Sequence, residues 1–250
     1  MSRKTFSLFT GGKDSTASFL KASREGLNPD LLVTIVPDNS ESYMFHTVNL
    51  WITSIHSLLY GKRHIFYRVR GLKEMEVEEL RPLIKYLYEG GYEVATVGGL
   101  LSNYQRRRFE SIFDEFGIEM YSPFWGVPQD EILYKYHEMG LRYMLTSVSA
   151  MGLGRNMLGW IARDLDDIEY LIEIASRHGF NPTGEGGEYE SLVLYVEGME
   201  RSIAPKKHRI VWDGVSGYME IMDVEFRDPR WIYEEGSRWE VSRRLEEGGR

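Results

Sequence analysis

Four short β-rich runs in the first half of the chain, separated by helical patterns, restrict its architecture more than any other feature. The runs are "TFSLF" (5–9), "LLVTIV" (31–36), "HIFYRV" (64–69) and "EVATV" (93–97). Between them, "STASFLKASREG", "HTVNLWITSIHSLLYG" and "EVEELRPLIKYLYEGG" space apolar residues at about 3.6 and end near glycine. A further helix, "NYQRRRFESIFDEFG", follows the fourth run. This alternation predicts an α/β fold, a doubly wound and mostly parallel sheet with helices on both faces. Ligands of such sheets gather outside the carboxyl ends of the strands.

The second half is less regular. "PQDEILYKYHEMG" and "LDDIEYLIEIASRHG" read as helices; "RYMLTSV", "SLVLYV", "HRIVW" and "YMEIMDVEF" read as strands, three of them late in the chain. That clustering predicts an antiparallel element in a smaller C-terminal α+β lobe. The expected division is a first domain over 1–120, a lobe over 121–233 and a polar tail over 234–250.

Composition excludes several classes. With no cysteine, disulfides, thiolate metal sites and cysteine nucleophiles are all ruled out. A formal net charge of -8 argues against a general nucleic-acid binder, and no stable nucleic-acid partner is expected. No run approaches the length that spans a bilayer, so no membrane partner is expected either. The opening "MSRKTFSLFTGG" has too short an apolar segment for a signal peptide. The expected location is cytoplasmic.

The first run ends in Thr10-Gly11-Gly12-Lys13-Asp14-Ser15, with Thr16 next. A strand that stops at two glycines and gives way to a helix gathers backbone N–H groups around one point, attractive to phosphate oxygens. Gly11 and Gly12 allow unusual dihedrals and close approach. Lys13 adds a charge, and Thr10 and Ser15 add hydroxyls. Asp14 makes sense beside phosphates if it holds a divalent metal ion between them. The plainer alternative is an Asp-bearing helix start after a glycine turn. Neither the Walker pattern nor G-x-G-x-x-G is present.

Three other stretches stand out. In "GGLLSNYQRRRFE" (98–110), Ser102 and Arg106 share a helix face, as do Tyr104 and Arg108. Arginines near a helix start oppose its dipole, a cost that an anionic ligand offsets; a surface pair of Arg106 with Glu110 is the alternative. "TGEGGEYES" (183–191) sets Glu185, Glu188 and Glu190 among glycines just before a strand. Clustered carboxylates suit a cation, an ammonium or a proton in transit; a flexible acidic turn is the alternative. "SESYMFHTVN" (40–49) follows the second run, and its His46 reads either as a ligand or as a helix-start residue.

T-G-G-K-D-S resembles the S-G-G-x-D-S loop of the N-type ATP pyrophosphatases, which cleave ATP between the α- and β-phosphates. The wider pattern is similar to one branch, the diphthine–ammonia ligases. Its G-x-x-x-S-x-Y-Q-R-x-R-x-E segment is matched by Gly98, Ser102, Tyr104, Gln105, Arg106, Arg108 and Glu110. Its E-x-G-E-Y-E segment is matched by Glu185, Gly187, Glu188, Tyr189 and Glu190. "SPFWGVPQDEIL" and "SYMFHT" also look like family segments, so the resemblance covers most of residues 5–196.

The resemblance implies an ATP pyrophosphatase (PP-loop) domain over 1–120 and a substrate-binding lobe over 121–233. It implies ATP and Mg2+ as cofactors, held by Thr10, Gly11, Gly12, Lys13, Asp14, Ser15 and Thr16, with the metal on Asp14. Acceptor contacts fall to Ser102, Tyr104, Gln105, Arg106, Arg108, Glu185, Glu188, Tyr189 and Glu190, with Trp125 a further aromatic contact. Lys13, Asp14 and Glu188 are the implied catalytic groups, Glu188 as a base. The reaction amidates the carboxylate of diphthine on translation elongation factor 2 with free ammonia, giving diphthamide, AMP and pyrophosphate. The rivals are an adenylating tRNA-modifying enzyme and an ATP-binding sensor without turnover.

Overall fold

A computed structural model describes residues 3–38, 48–71, 78–98 and 103–234. His46 and the tail beyond residue 234 lie outside the described residues. The chain divides into two units, Met1–Gly126 and Val127–Arg250.

In the first unit, strands β1 (Thr5–Leu8), β2 (Leu31–Pro37), β3 (Arg63–Val69), β4 (Val94–Thr96) and β5 (Glu119–Tyr121) form one sheet. Their order is β3-β2-β1-β4-β5, and every pairing is parallel. Helices α1 (Lys13–Arg24), α2 (Thr53–Tyr60), α3 (Arg81–Glu89) and α4 (Asn103–Glu115) accompany the strands. The period of two along β2 sorts its side chains between two cores. Leu31, Val33 and Ile35 pack with Leu83, Ile84 and Leu87 of α3 and with Phe109, Ile112 and Phe113 of α4. Leu32 packs the other way, with Phe9, Phe19 of α1 and Tyr60 of α2. Helices therefore cover both faces, as the alternation predicts. β5, only three residues long, is not among the expected strands.

Because β1 sits between β2 and β4, the strand order reverses there. That reversal opens a crevice outside the carboxyl ends of β1 and β4, the usual ligand position in such sheets.

A buried polar cluster fixes the end of β1. Thr34 Oγ1 donates to the Phe9 carbonyl at 2.8 Å, and Thr53 Oγ1 donates to the Leu50 carbonyl at 2.7 Å. His64 Nε2 lies 2.9 Å from Thr34 Oγ1 and 3.1 Å from Thr53 Oγ1. With both hydroxyl protons spent on carbonyls, the imidazole completes the set as a neutral Nε2–H donor.

In the second unit, β6 (Leu141–Val148) pairs antiparallel with β7 (Ile161–Ala162), β8 (Tyr189–Val196) and β10 (Gly217–Arg227). β9 (Ser202–Trp212) and β10 form a long hairpin with a bulge near Asp223. Arg209 with Glu220 and Lys206 with Asp223 pair across its exposed face. Helices α5 (Gln129–Glu138), α6 (Leu165–His178) and the short α7 (Trp231–Glu234) complete the unit. Asp164 caps α6 by accepting the Asp167 N–H at 3.0 Å. Trp231 Nε1 donates to Ser202 Oγ at 2.8 Å and Arg142 Nε to Tyr233 Oη at 2.9 Å, tying α7 to β9 and β6. Among the described residues no helix is long and apolar enough to cross a membrane.

Burial holds the His64 pKa below its ordinary value of 6.5. The folded state thus takes up this proton less readily than the unfolded chain. The stabilisation is complete above about pH 6.5 and is lost as the pH falls through the folded value. Melting temperatures of the wild type and His64→Gln, measured from about pH 8 to about pH 5, should converge on acidification, because the amide cannot charge. A constant difference across that range would remove His64 from the pH response.

Candidate active site

The turn after β1 is built by its own hydroxyls. The Thr10 N–H donates to Ser15 Oγ at 3.2 Å, and Ser15 Oγ donates to the Gly12 carbonyl at 3.2 Å. Thr10 Oγ1 lies 3.1 Å from Ser15 Oγ and accepts from the Gly12 N–H at 3.4 Å. Gly11 needs its freedom twice over. Its φ is +77°, and a Cβ there would stand 3.1 Å from Cε1 of His56. Gly12 is the N-cap of α1, with φ −77° and ψ 168°, and makes no side-chain cap. The first-turn N–H groups of α1 thus have no acceptor in their own helix, the arrangement that favours anions.

Lys13 is buried beside this turn, only 2 % exposed, and its Nζ lies 2.8 Å from Asp14 Oδ2. The pair neutralises a buried ammonium whose isolation would be costly. Thr16 is fully buried. Its hydroxyl is buried beside that of Tyr60 of α2.

Gly98, just past β4, closes the crevice from the other side. A Cβ there would lie 2.3 Å from the Asp14 carbonyl oxygen and 2.7 Å from the Ser15 nitrogen. Backbone therefore rests directly on backbone at the switch point. On α4, Arg106 Nε bonds Glu110 Oε1 at 2.5 Å, and its guanidinium stacks 4.6 Å from the Trp125 ring centroid. The surface pair weighed from the sequence is present, and the same arginine lies on a face of the tryptophan offered for a cationic substrate. Arg108 is half-buried. Ser102 and the side chains of Tyr104 and Gln105 lie outside the described residues.

Glu185, Glu188, Tyr189 and Glu190 belong to the second unit, at the entry to β8. Glu188 Oε1 accepts the Asn181 N–H at 3.1 Å and its Oε2 accepts the Gly186 N–H at 2.7 Å. Tyr189 is 3 % exposed and donates its hydroxyl to the Pro182 carbonyl at 2.6 Å. A ring so buried builds the turn instead of facing solvent. Thr183 Oγ1 donates to Gln129 Oε1 at 2.5 Å, and Ser149 Oγ donates to the Gly187 carbonyl at 2.6 Å. Glu185 and Glu190 are half-buried. Gln129, Ser149, Asn181 and Thr183 were not singled out from the sequence; each is an ordinary polar residue, and only the fold makes them neighbours of the acidic segment.

No group of three or more His, Asp or Glu side chains poised for a metal occurs among the described residues. A single carboxylate at the turn suits magnesium, which keeps most of its shell as water and substrate phosphate oxygens.

Residues 3–120 match the diphthamide synthase N-terminal domain and residues 128–225 the diphthamide synthase C-terminal domain. Human diphthine–ammonia ligase is 25% identical over 241 residues, spanning 88% of this chain and 89% of the human protein. The rat diphthine–ammonia ligase is 27% identical over 209 residues, 75% of this chain and 77% of its own. That of Danio rerio is 30% identical over 206 residues, 75% of this chain and 80% of its own. The chain belongs to the diphthine–ammonia ligase family. The family supplies the ligase class and the use of ATP.

The contact at Gly98 is open to test. Gly98→Ala forces a methyl group into the first turn of α1, and overpacking of this kind costs ~1–3 kcal/mol. A lower melting temperature and weaker ATP binding by calorimetry are expected together. Wild-type values for both would show that the two backbones stand further apart than described.

Proposed function

We propose that this chain amidates the diphthine carboxylate of translation elongation factor 2, with ATP and ammonia as co-substrates. The observation that carries this reading is the turn from β1 into α1, with Gly12 as its N-cap, closed on one side by Gly98 and flanked by the Lys13–Asp14 pair.

A carboxylate is a poor acyl donor until it carries a leaving group. In the first step the diphthine carboxylate oxygen attacks the α-phosphorus, and the bond from that phosphorus to the bridging oxygen breaks. Pyrophosphate departs with the electron pair, its negative charge received by the α1 amides and by Lys13. In the second step the ammonia lone pair attacks the acyl carbon, and the bond to the AMP oxygen breaks. The nitrogen then sheds a proton, giving the amide and AMP.

Magnesium would be held by Asp14 and would offset phosphate charge. For that the Lys13–Asp14 pair has to part, the ammonium turning to phosphate and the carboxylate to the metal. Arg106 and Arg108 are the anion contacts of the first unit. Glu185, Glu188 and Glu190 supply the negative charge that suits the trimethylammonium group of diphthine, and a carboxylate among them receives the proton from ammonium. The cytoplasm, where the elongation factor works, is the expected setting.

The test combines the purified protein, ATP, ammonium and diphthine-bearing elongation factor 2, and follows the factor by mass spectrometry. Conversion of a carboxyl to a carboxamide, with one AMP per amide, is expected. ATP bound but unchanged would leave a sensor and sink the ligase reading.

Lys13→Ala and Asp14→Ala should each lower AMP formation by ~10²–10³-fold, the usual loss on removing one group that stabilises developing charge. Lys13→Ala should keep its fold, whereas Asp14→Ala takes the paired carboxylate from the buried Lys13 ammonium and lowers the melting temperature, so AMP formation is compared at a temperature where both variants are folded. Near-normal turnover in either variant would remove that residue from the phosphate site.

On α4, Arg106→Lys keeps the charge but loses the planar fork. A bidentate contact to an anion predicts a weaker affinity for ATP or for the acceptor, measured by separate titrations. A lower melting temperature with both affinities intact would leave Arg106 as the partner of Glu110 and Trp125 alone.

A further inference from the structure

The sequence offers Glu188 as a base, yet its carboxylate is already at work inside its own turn. One oxygen takes the N–H of Asn181, seven residues back, and the other takes the N–H of Gly186, two residues back. The carboxylate thus spans the turn and holds its two arms together. Gly186 is shaped for this, since a Cβ there would stand 2.7 Å from Glu188 Oε1. Other bonds hold the same turn from independent directions. Tyr189 secures Pro182, Thr183 secures Asn181 through its own N–H at 3.0 Å, and the Ser149 N–H donates to the Glu188 carbonyl at 2.9 Å.

We propose that Glu188 is a positioning residue that clamps the 181–188 turn, and that it does not take the proton from ammonium. The proposal rests on the amidation reading above. Protonating this carboxylate would weaken two charge-assisted bonds at every turnover and loosen the segment that carries Glu185 and Glu190. A group that serves as a base has to change charge; a clamp has to keep it. The geometry places Glu188 in the second role, setting the shape in which its neighbours meet the cationic acceptor.

Two variants separate the roles. Glu188→Gln keeps the size but offers the second amide an NH2 group where an oxygen stood. Gly186→Ala keeps the carboxylate but pushes it off the Gly186 N–H. Both are assayed with ammonia and with hydroxylamine, a neutral nucleophile that needs no base. The clamp predicts that both variants lose acceptor affinity by roughly 10–10²-fold, the scale of a small misplacement. It also predicts equal losses with the two nucleophiles, an unchanged KM for ATP and an unchanged pH profile of kcat. Glu188→Gln slow with ammonia but normal with hydroxylamine, beside an unaffected Gly186→Ala, would overturn it.

Hydrogen exchange provides an arm independent of turnover. The amides of Asn181 and Gly186 should be protected in the wild type and exposed in both variants. Amides that exchange as fast in the wild type as in Glu188→Gln would remove the clamp even if no acceptor were ever amidated. A wild type inert toward diphthine, with those amides protected, would instead overturn the amidation reading and leave the clamp standing.

Discussion

The first unit depends on a contact with no side chain in it. At the switch point the backbone after β4 rests on the backbone that begins α1, and Gly98 is the residue that lets it. A methyl group at that position would push apart the two edges of the crevice. Below the contact, β1 and β4 are joined by parallel pairing and by the buried hydroxyls of Thr96 and Ser7, 2.7 Å apart. Above it, the hydroxyls of Thr10 and Ser15 brace the turn from within. The crevice is in this sense a by-product of strand order.

The second unit meets its chemistry differently. Its acidic segment is not carried at a strand-order reversal but laced into a turn by many small bonds, with a buried tyrosine beneath. Carboxylates so close together repel unless the backbone answers them, and two amides answer Glu188. The order of the turn is therefore obtained locally, from donors that any polypeptide has.

The parallel sheet was legible because each of its long strands is followed by a helix of clear period, and β2 shows how cleanly the faces separate. β5 escaped notice because three residues, "EMY", make no pattern. In the second unit the two-residue β7 was missed, and β9 was found but not its length: it begins six residues before "HRIVW", through a stretch containing Pro205 that no propensity would assign to a strand. The glycine turn after β1 could be read residue by residue, since two glycines before a helical pattern mark where a strand stops. Burial could not be read. Thr16 and Tyr189 stand inside motifs that suggest contact with a ligand, and both are buried. A motif gives the residue type at a position, while the side from which it is seen is fixed by packing.

The pairing of β1 with β4 also has a consequence for when the protein becomes competent. Ser7 and Thr96 meet across 89 positions of sequence, whereas the whole T-G-G-K-D-S motif is made within the first fifteen residues. Contacts of such separation form late, after the entropy of a long closure has been met. As the chain emerges from the ribosome, the motif therefore exists for most of the synthesis of the first unit without the wall that completes it. A nascent chain cut short before β4 would carry every residue of the loop and no cradle.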